Sequence, residues 1–278
     1  MRNLAEAGAA LLGGRLREAR PLAGGDLSQP VRIALEDGRT AIVKDGPAPP
    51  AEARMLQAIA AAGVPAPAVL AVSDSLLALA PLADDGGLGG RAAAAVWADL
   101  GRVLSRLHAC HGTGYGWPED YAFGPVAIAN AAPAESQGPP WPAFWAERRL
   151  RPFLDHLPAE PARRLAGLAD ALPRHLPAQP PPALLHGDLW GGNVLVSGNR
   201  VSGLIDPACY HGHGEVDIAM LTLFDRPGPD FFESYGALAP GHEARLAIYR
   251  LWPALVHLKL FGGGYLPLVE RQLALAGA

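Results

Sequence analysis

The stretch LLHGDLWGGNVLVSGNRVSGLIDP, residues 184–207, decides the architecture. It sets Asp188, Asn193 and Asp206 in or beside short apolar runs that read as strands, NVLV (193–196) and VSGLI (201–205), split by the turn Ser197-Gly198-Asn199-Arg200. A hairpin about that turn brings Asn193 opposite Asp206, with Cβ atoms ~5 Å apart if the pair is direct. A carboxamide and a carboxylate converging at an open hairpin end form a two-oxygen nest suited to Mg²⁺, which takes hard oxygen ligands and keeps several waters. Asp188 lies on the loop that leads into the hairpin, near the metal without having to ligate it. One carboxylate to take a nucleophile's proton, with an Asn and a second Asp to hold the metal that bridges phosphates, is the equipment of phosphoryl transfer.

Outward from this core, the chain divides by character. Residues 3–20 read as a helix broken by Gly13 and Gly14. PVRIAL (30–35) and TAIVK (40–44) follow as strands around an Asp-Gly turn. Residues 49–62 read as a helix with Pro at its start and Gly63 past its end, and VLAV (69–72) and LLALA (76–80) as two more strands. Beyond a Gly-rich segment at 84–90 the pattern turns helical, first at 91–109, where Leu100, Val103, Leu104 and Leu107 share one face. A Gly/Pro/Ala-rich loop to about residue 140 leads to helices near 141–156 and 160–172, the strands already described with ALLH (183–186), and a mostly helical remainder. The expectation is an α+β, bilobal molecule: residues 1–83 a small antiparallel-sheet lobe that binds nucleotide, residues 84–278 a larger, mostly helical lobe carrying catalysis and substrate binding.

Composition narrows the function. The 278 residues are 50% hydrophobic and 18% charged, so a sizeable core is available without staples. A net charge of −4 argues against broad phosphate-backbone binding, hence no nucleic-acid partner. No long apolar stretch predicts a membrane span and no leader is read at the N-terminus. Two separated cysteines, Cys110 and Cys209, exclude a disulfide framework and suit a reducing cytoplasm. Of 23 basic residues only Lys44 and Lys259 are lysines. Where Arg fills nearly every cationic position, a surviving lysine is a candidate for work that needs a compact ammonium rather than a planar fork.

The spacing H-x-D-x-x-x-x-N, followed by a hairpin and Asp, resembles that of protein-kinase-like folds, with Gly187 in place of the usual Arg and Asp206-Pro207 where Asp-Phe-Gly would stand. Lys44 ends a strand of the Asp-Gly hairpin, and Glu52, early in the next helix, is placed to hold it. Gly24 and Gly25 precede the first of the two hairpin strands and could cover phosphates with backbone N–H groups. LLHGDLWGGN (184–193), IDPACYHGHGEVDIAML (205–221), WPAFWAERRLRPFLD (141–155), LGRVLSRLH (100–108) and LVHLKLFGGGY (255–265) resemble the fructosamine kinases, or ketosamine-3-kinases, relatives of aminoglycoside and choline kinases. The resemblance spans most of residues 40–270. It implies ATP- and Mg²⁺-dependent phosphorylation of the 3-hydroxyl of free or protein-bound ketosamines, a cytoplasmic deglycation activity. Asp188 would be the base, Asn193 and Asp206 the metal ligands and Lys44 the phosphate contact. Trp190 would stack on the open-chain sugar, and Asp217 would accept hydrogen bonds from the catalytic-loop backbone. Leu223-Phe224-Asp225-Arg226 departs from the glycine-rich continuation the family leads one to expect.

Plainer roles suit other residues. His186 is expected to support the loop, His257 to line the pocket, and Trp141 and Trp145 to pack in the core. Arg148, Arg149 and Arg151 read as solvated or locally paired, and Cys110 and Cys209 as buried thiols. The competing readings are a kinase of another alcohol, such as an aminoglycoside or choline, a nucleotide-binding pseudoenzyme, and a metal-dependent hydrolase built from His186, Asp188, Asp206, His211 and His213.

Overall fold

The computed structural model describes residues 2–22, 29–86, 88, 93–130 and 138–278; Gly24 and Gly25 therefore lie outside the described residues. The chain opens with α1 (Arg2–Leu11), β1 (Leu16–Pro21), β2 (Val31–Leu35), β3 (Thr40–Lys44), α2 (Pro49–Ala61), β4 (Val69–Val72) and β5 (Leu77–Leu79). The five strands form one antiparallel sheet in the order β1-β2-β3-β5-β4. Val31, Ile33 and Leu35 alternate inward, and with Ala41 and Val43 they bury α1 through Ala5 and Ala9. Gly8 permits that contact, since a Cβ there would meet the Val43 side chain at 2.5 Å.

The single helix expected over 3–20 is a helix and a strand. Gly13, at φ +66°, turns the chain after Leu11, and residues 16–21 then pair with β2. The sequence LREARP conceals this strand because β1 is a sheet edge with mostly exposed side chains, so the alternation of a half-buried strand is missing.

The remainder is mostly helical: α3 (Ala94–His108), the hairpin β6 (Tyr121–Phe123) and β7 (Val126–Ile128), α4 (Trp141–Trp145), α5 (Ala159–His175), β8 (Ala183–Leu185), β9 (Val194–Ser197), β10 (Arg200–Leu204), β11 (Tyr210–Gly212), α6 (Glu215–Phe224), α7 (Pro229–Tyr235), α8 (His242–Phe261) and α9 (Leu266–Leu275). After α4 the chain continues as a π-helical turn, Ala146–Leu150, and a 3₁₀ segment, Arg151–His156. β8 pairs with β11, and β9 with β10, both antiparallel. The β6–β7 hairpin stands inside what the sequence presents as a featureless loop.

Trp141 and Trp145 are fully buried, as expected. Arg149 departs from expectation. It is fully buried, donates to the Ala129 carbonyl at 2.8 Å and to Asn130 Oδ1, and lies 4.3 Å from the Tyr210 ring centroid and 5.0 Å from that of Trp252. The π-helical turn carries this side chain into an aromatic box, where stacking and hydrogen bonds replace its water. Arg151 pairs at the surface with Glu147 and Asp170, as read. Cys209 is buried and Cys110 half-buried, both as free thiols. Arg149→Ala would remove the donor to Asn130 Oδ1 and to the Ala129 carbonyl and empty the box. Urea unfolding is expected to show a loss of about 3 kcal/mol, the order typical of breaking a buried, hydrogen-bonded charged group.

Candidate active site

The site is assembled where β3, α2 and the 186–206 segment meet. β3 delivers Lys44 at its last residue, and the first turn of α2 delivers Glu52. Lys44 Nζ donates to Glu52 Oε1 at 3.0 Å and also to Asp206 Oδ1. The eight-residue step from Lys44 to Glu52 is short, yet it suffices because Asp45–Ala48 turns the chain directly into α2. Burial works to discharge the ammonium, but the two carboxylates outweigh it and raise the Lys44 pKa, so the side chain is a held cation.

The hairpin register differs from the expected one. β9 and β10 pair Ser197 with Arg200 and Val194 with Leu204, with an irregularity at Ser202. The residue facing Asn193 is Ile205, whose N–H donates to the Asn193 carbonyl at 3.0 Å. Asp206 is thus one place beyond a direct pair and reaches the site by another route. Its φ of +52° is the only positive φ on a non-glycine among the described residues, and this turn out of β10 brings its carboxylate to Lys44.

Asp188, Asn193, Asp206, Lys44 and Glu52 line one cavity of about 330 Å³, together with Trp190, Tyr121 and His257. Asn193 Nδ2 donates to the Asp188 carbonyl at 2.8 Å and to Asp188 Oδ2 at 3.0 Å. Both amide hydrogens are therefore used on the Asp188 side, and the Asn193 amide oxygen is the atom available as a ligand. Burial pushes the Asp188 carboxyl up to about 7, against the hydrogen bond from Asn193. Asn193 Oδ1 and the Asp206 carboxylate are hard oxygen donors, while the one imidazole of the lining, His257, turns its Nδ1 to the Pro253 carbonyl; an amide oxygen and a carboxylate are a set that fits Mg²⁺ completed by phosphate oxygens and waters.

The loop carrying Asp188 is fixed from behind. Asp217, at the start of α6 and fully buried, accepts from the His186 N–H at 2.8 Å and the Gly187 N–H at 2.9 Å, and pairs with His108 Nε2 at 3.0 Å. Burial works to raise its pKa, but the hydrogen bond and charge of His108, with further help from His186 and Gly187, hold it below the ordinary carboxylate value. His186 donates from Nε2 to the Ile205 carbonyl at 3.0 Å, joining the loop to the end of β10, and burial lowers its pKa; it is a neutral strut. Gly187, at φ +80°, occupies the place where an Arg would stand, because a Cβ there would lie 2.0 Å from the Ala208 carbonyl oxygen.

Three contributors were not singled out from the sequence. His108, at the end of α3, bridges Asp217 and the Tyr235 hydroxyl; the only hint was its place at the end of LGRVLSRLH. Asp225 accepts the Gly191 N–H at 2.7 Å, so the acidic residue standing where the family pattern suggests glycine anchors the far side of the same loop. Tyr121 comes from the unforeseen hairpin and lines the cavity beside Glu52. His211 and His213 do not assemble with Asp188 and Asp206. His211 stacks on Trp117, His213 bonds the Tyr249 hydroxyl at 2.8 Å, and Glu215 is claimed by Arg245. Among the described residues no group of three or more His, Cys, Asp or Glu could hold a metal ion, which removes the hydrolase reading.

Gly187→Ala is expected to push the loop off the Ala208 carbonyl. Thermal denaturation should show a loss of about 2 kcal/mol or more, together with weaker turnover, from strain at a positive-φ position and the steric collision.

Residues 12–276 match the sequence model of the fructosamine kinase family. A ketoamine kinase candidate of Thermus thermophilus is 35% identical over 271 residues, 92% of this chain and 93% of its own length. Another from Synechocystis is 34% identical over 190 residues, a match that spans 64% of this chain and 61% of that protein. Among solved structures, a fructosamine-3-kinase candidate of Thermobifida fusca superposes with a TM-score of 0.86 at 28% identity over 99% of both chains. The fold of this chain is the bilobal, protein-kinase-like α+β architecture expected from the sequence. With a family match across nearly the whole chain and a relative aligned almost end to end, the chain belongs to the fructosamine kinase family.

Proposed function

We propose that this protein is an ATP-dependent kinase that phosphorylates the 3-hydroxyl of ketosamines, the rearranged adducts of sugars with amines. The observation that carries the reading is the convergence of Asp188, Asn193, Asp206 and Lys44 on one cavity. Family membership supports the acceptor class, because the groups that move phosphate are shared by kinases of many alcohols.

The residues divide the work. Asp188, half-buried and held through Asn193, accepts the proton of the sugar hydroxyl as it attacks the terminal phosphorus. Asn193 Oδ1 and the Asp206 carboxylate are the groups that would hold Mg²⁺, which when bound neutralises charge on the phosphates. Lys44 offers its ammonium to phosphate oxygens, and Glu52, 3.0 Å from it, keeps it oriented. Asp217 acts through the loop: by holding the His186 and Gly187 N–H groups it sets where Asp188 points. Trp190, 38% exposed at the cavity, is placed to stack on the open sugar chain. His257 lines the same cavity and donates from Nδ1 to the Pro253 carbonyl at 2.8 Å. Gly24 and Gly25 are proposed to cover the phosphates, and nucleotide binding is assigned to residues 1–83. The segment at 76–82 does not line this cavity, which suits a nucleobase site separate from it. Among the described residues no helix is long and apolar enough to cross a membrane, consistent with a cytoplasmic enzyme acting on free or protein-bound adducts.

The direct test is an acceptor panel of ribulosamines, fructosamines, choline and aminoglycosides with Mg-ATP. ADP release with a ketosamine, and one phosphate added at the third carbon, is the expected result; release only with choline or an aminoglycoside would overturn the assignment. Asp188→Asn is expected to lower kcat by about 10²–10⁴-fold while nucleotide binding, followed by calorimetry, persists.

The pH dependence follows from Asp188. The base works only when deprotonated, so its raised pKa predicts a kcat/KM that is lost as pH falls through about 7 and levels off above it. A profile flat down to about pH 5 would count against Asp188 as the base in this environment.

A further inference from the structure

Beside the phosphate-handling residues, the cavity lining includes a second group of side chains, of which only His257 figures in the proposed function. It is built from the end of α6, the C-terminal half of α8 and the 3₁₀ turn Gly263–Tyr265. Four rings meet there: His257 lies 4.9 Å from Phe224, 5.4 Å from Phe261 and 5.2 Å from Tyr265, and Phe261 lies 5.7 Å from Tyr265. Phe224 is 39% and Phe261 40% exposed, so two large apolar rings at the cavity wall are left partly in water. Val256 and Leu260 of α8 extend the same lining. None of the carboxylates that line the cavity (Asp45, Glu52, Asp188 and Asp206) comes from α6, α8 or the Gly263–Tyr265 turn, and the lining's one lysine, Lys44, is already engaged by two of them.

Resting on the kinase reading, we propose that this aromatic wall receives the group carried on the ketosamine nitrogen, and that the preferred acceptors are adducts of amines bearing an uncharged apolar or aromatic group. A ketosamine has two chemically different ends. Its sugar end is a chain of hydroxyls and must meet Asp188, so the hydroxyl-rich part belongs among the polar groups. The nitrogen is a secondary ammonium, which ring faces attract, and the group beyond it is what reaches the wall. An apolar group there removes its own surface and that of Phe224 and Phe261 from water. A carboxylate there, as in adducts of free amino acids through the α-nitrogen, would be desolvated against rings with no unpaired cation among the lining residues. A polycationic acceptor would find no carboxylate on this wall to pair with its further amines.

The experiment compares two adducts of one ketose, that of benzylamine and that of glycine, by steady-state kinetics with Mg-ATP. The expected kcat/KM favours the benzylamine adduct by about tenfold or more, the discrimination that one or two methylene equivalents in an apolar pocket provide. In F224A/F261A, whose rings are partly exposed and so dispensable to the core, that ratio is expected to fall to within about threefold, and Phe224→Leu to fall between the two. Equal use of both adducts by the unaltered protein, preference for the glycine adduct, or a ratio untouched by the double substitution would each overturn the proposal while leaving the kinase reading intact. Failure to phosphorylate any ketosamine, with either group on the nitrogen, would overturn the kinase reading and this subsite with it.

Discussion

One buried carboxylate governs the geometry of the site. Asp217 sits at the start of α6 with essentially no exposure, and three donors from two distant segments converge on it: the backbone N–H groups of His186 and Gly187, and His108 from the end of α3. A charge removed from water is tolerated only where hydrogen bonds replace its hydration. The loop must therefore lie where its N–H groups can do so. Once it does, Asp188 has one direction to point, and the rest of the site inherits that choice.

The second constraint is the ammonium of Lys44 between Glu52 and Asp206. It draws together a strand and a helix of the sheet half of the chain and the end of a hairpin from the helical half, so the cavity closes around a charge triad rather than around apolar packing alone. Such a cluster is worth little as a stabilising device, because desolvation consumes much of the Coulombic gain. Its value is positional. Two carboxylates share one ammonium, so Glu52 would still hold the lysine if Asp206 took another partner. Tyr121 of the β6–β7 hairpin lines the same cavity as the triad. Nearby, Arg54 of α2 grips Glu119 with two hydrogen bonds of 2.8 and 2.6 Å, tying α2 to the segment just before that hairpin.

Positive φ values mark where these constraints meet. Gly187 turns so tightly against Ala208 that no side chain fits, and Asp206 adopts a left-handed conformation that few residues accept. Both sit in the segment that lines the cavity, where function rather than propensity sets the backbone. The same economy of space is visible at Gly191, where a Cβ would lie 2.6 Å from the carboxylate that holds its N–H.

Residues 184–207 alone determined the hairpin, the order of the polar groups and, with Lys44 and Glu52, the class of chemistry, because short-range spacing and residue type carry that information. Where the reading failed, the missing information was long-range. LREARP is a strand only because β2 pairs with it; its exposed edge leaves no apolar alternation to read. Arg149 is buried because Tyr210, Trp252 and Asn130 surround it from remote parts of the chain. Which residue faces Asn193 depended on how tightly the turn closes, with Ser197 paired to Arg200, and on one irregular residue in β10 that moves the place from Leu204 to Ile205; that Asp225 anchors Gly191 depended on where α6 ends relative to the loop. Local sequence names the chemical groups; only packing, which decides what shares a cavity and what loses its water, assigned their partners.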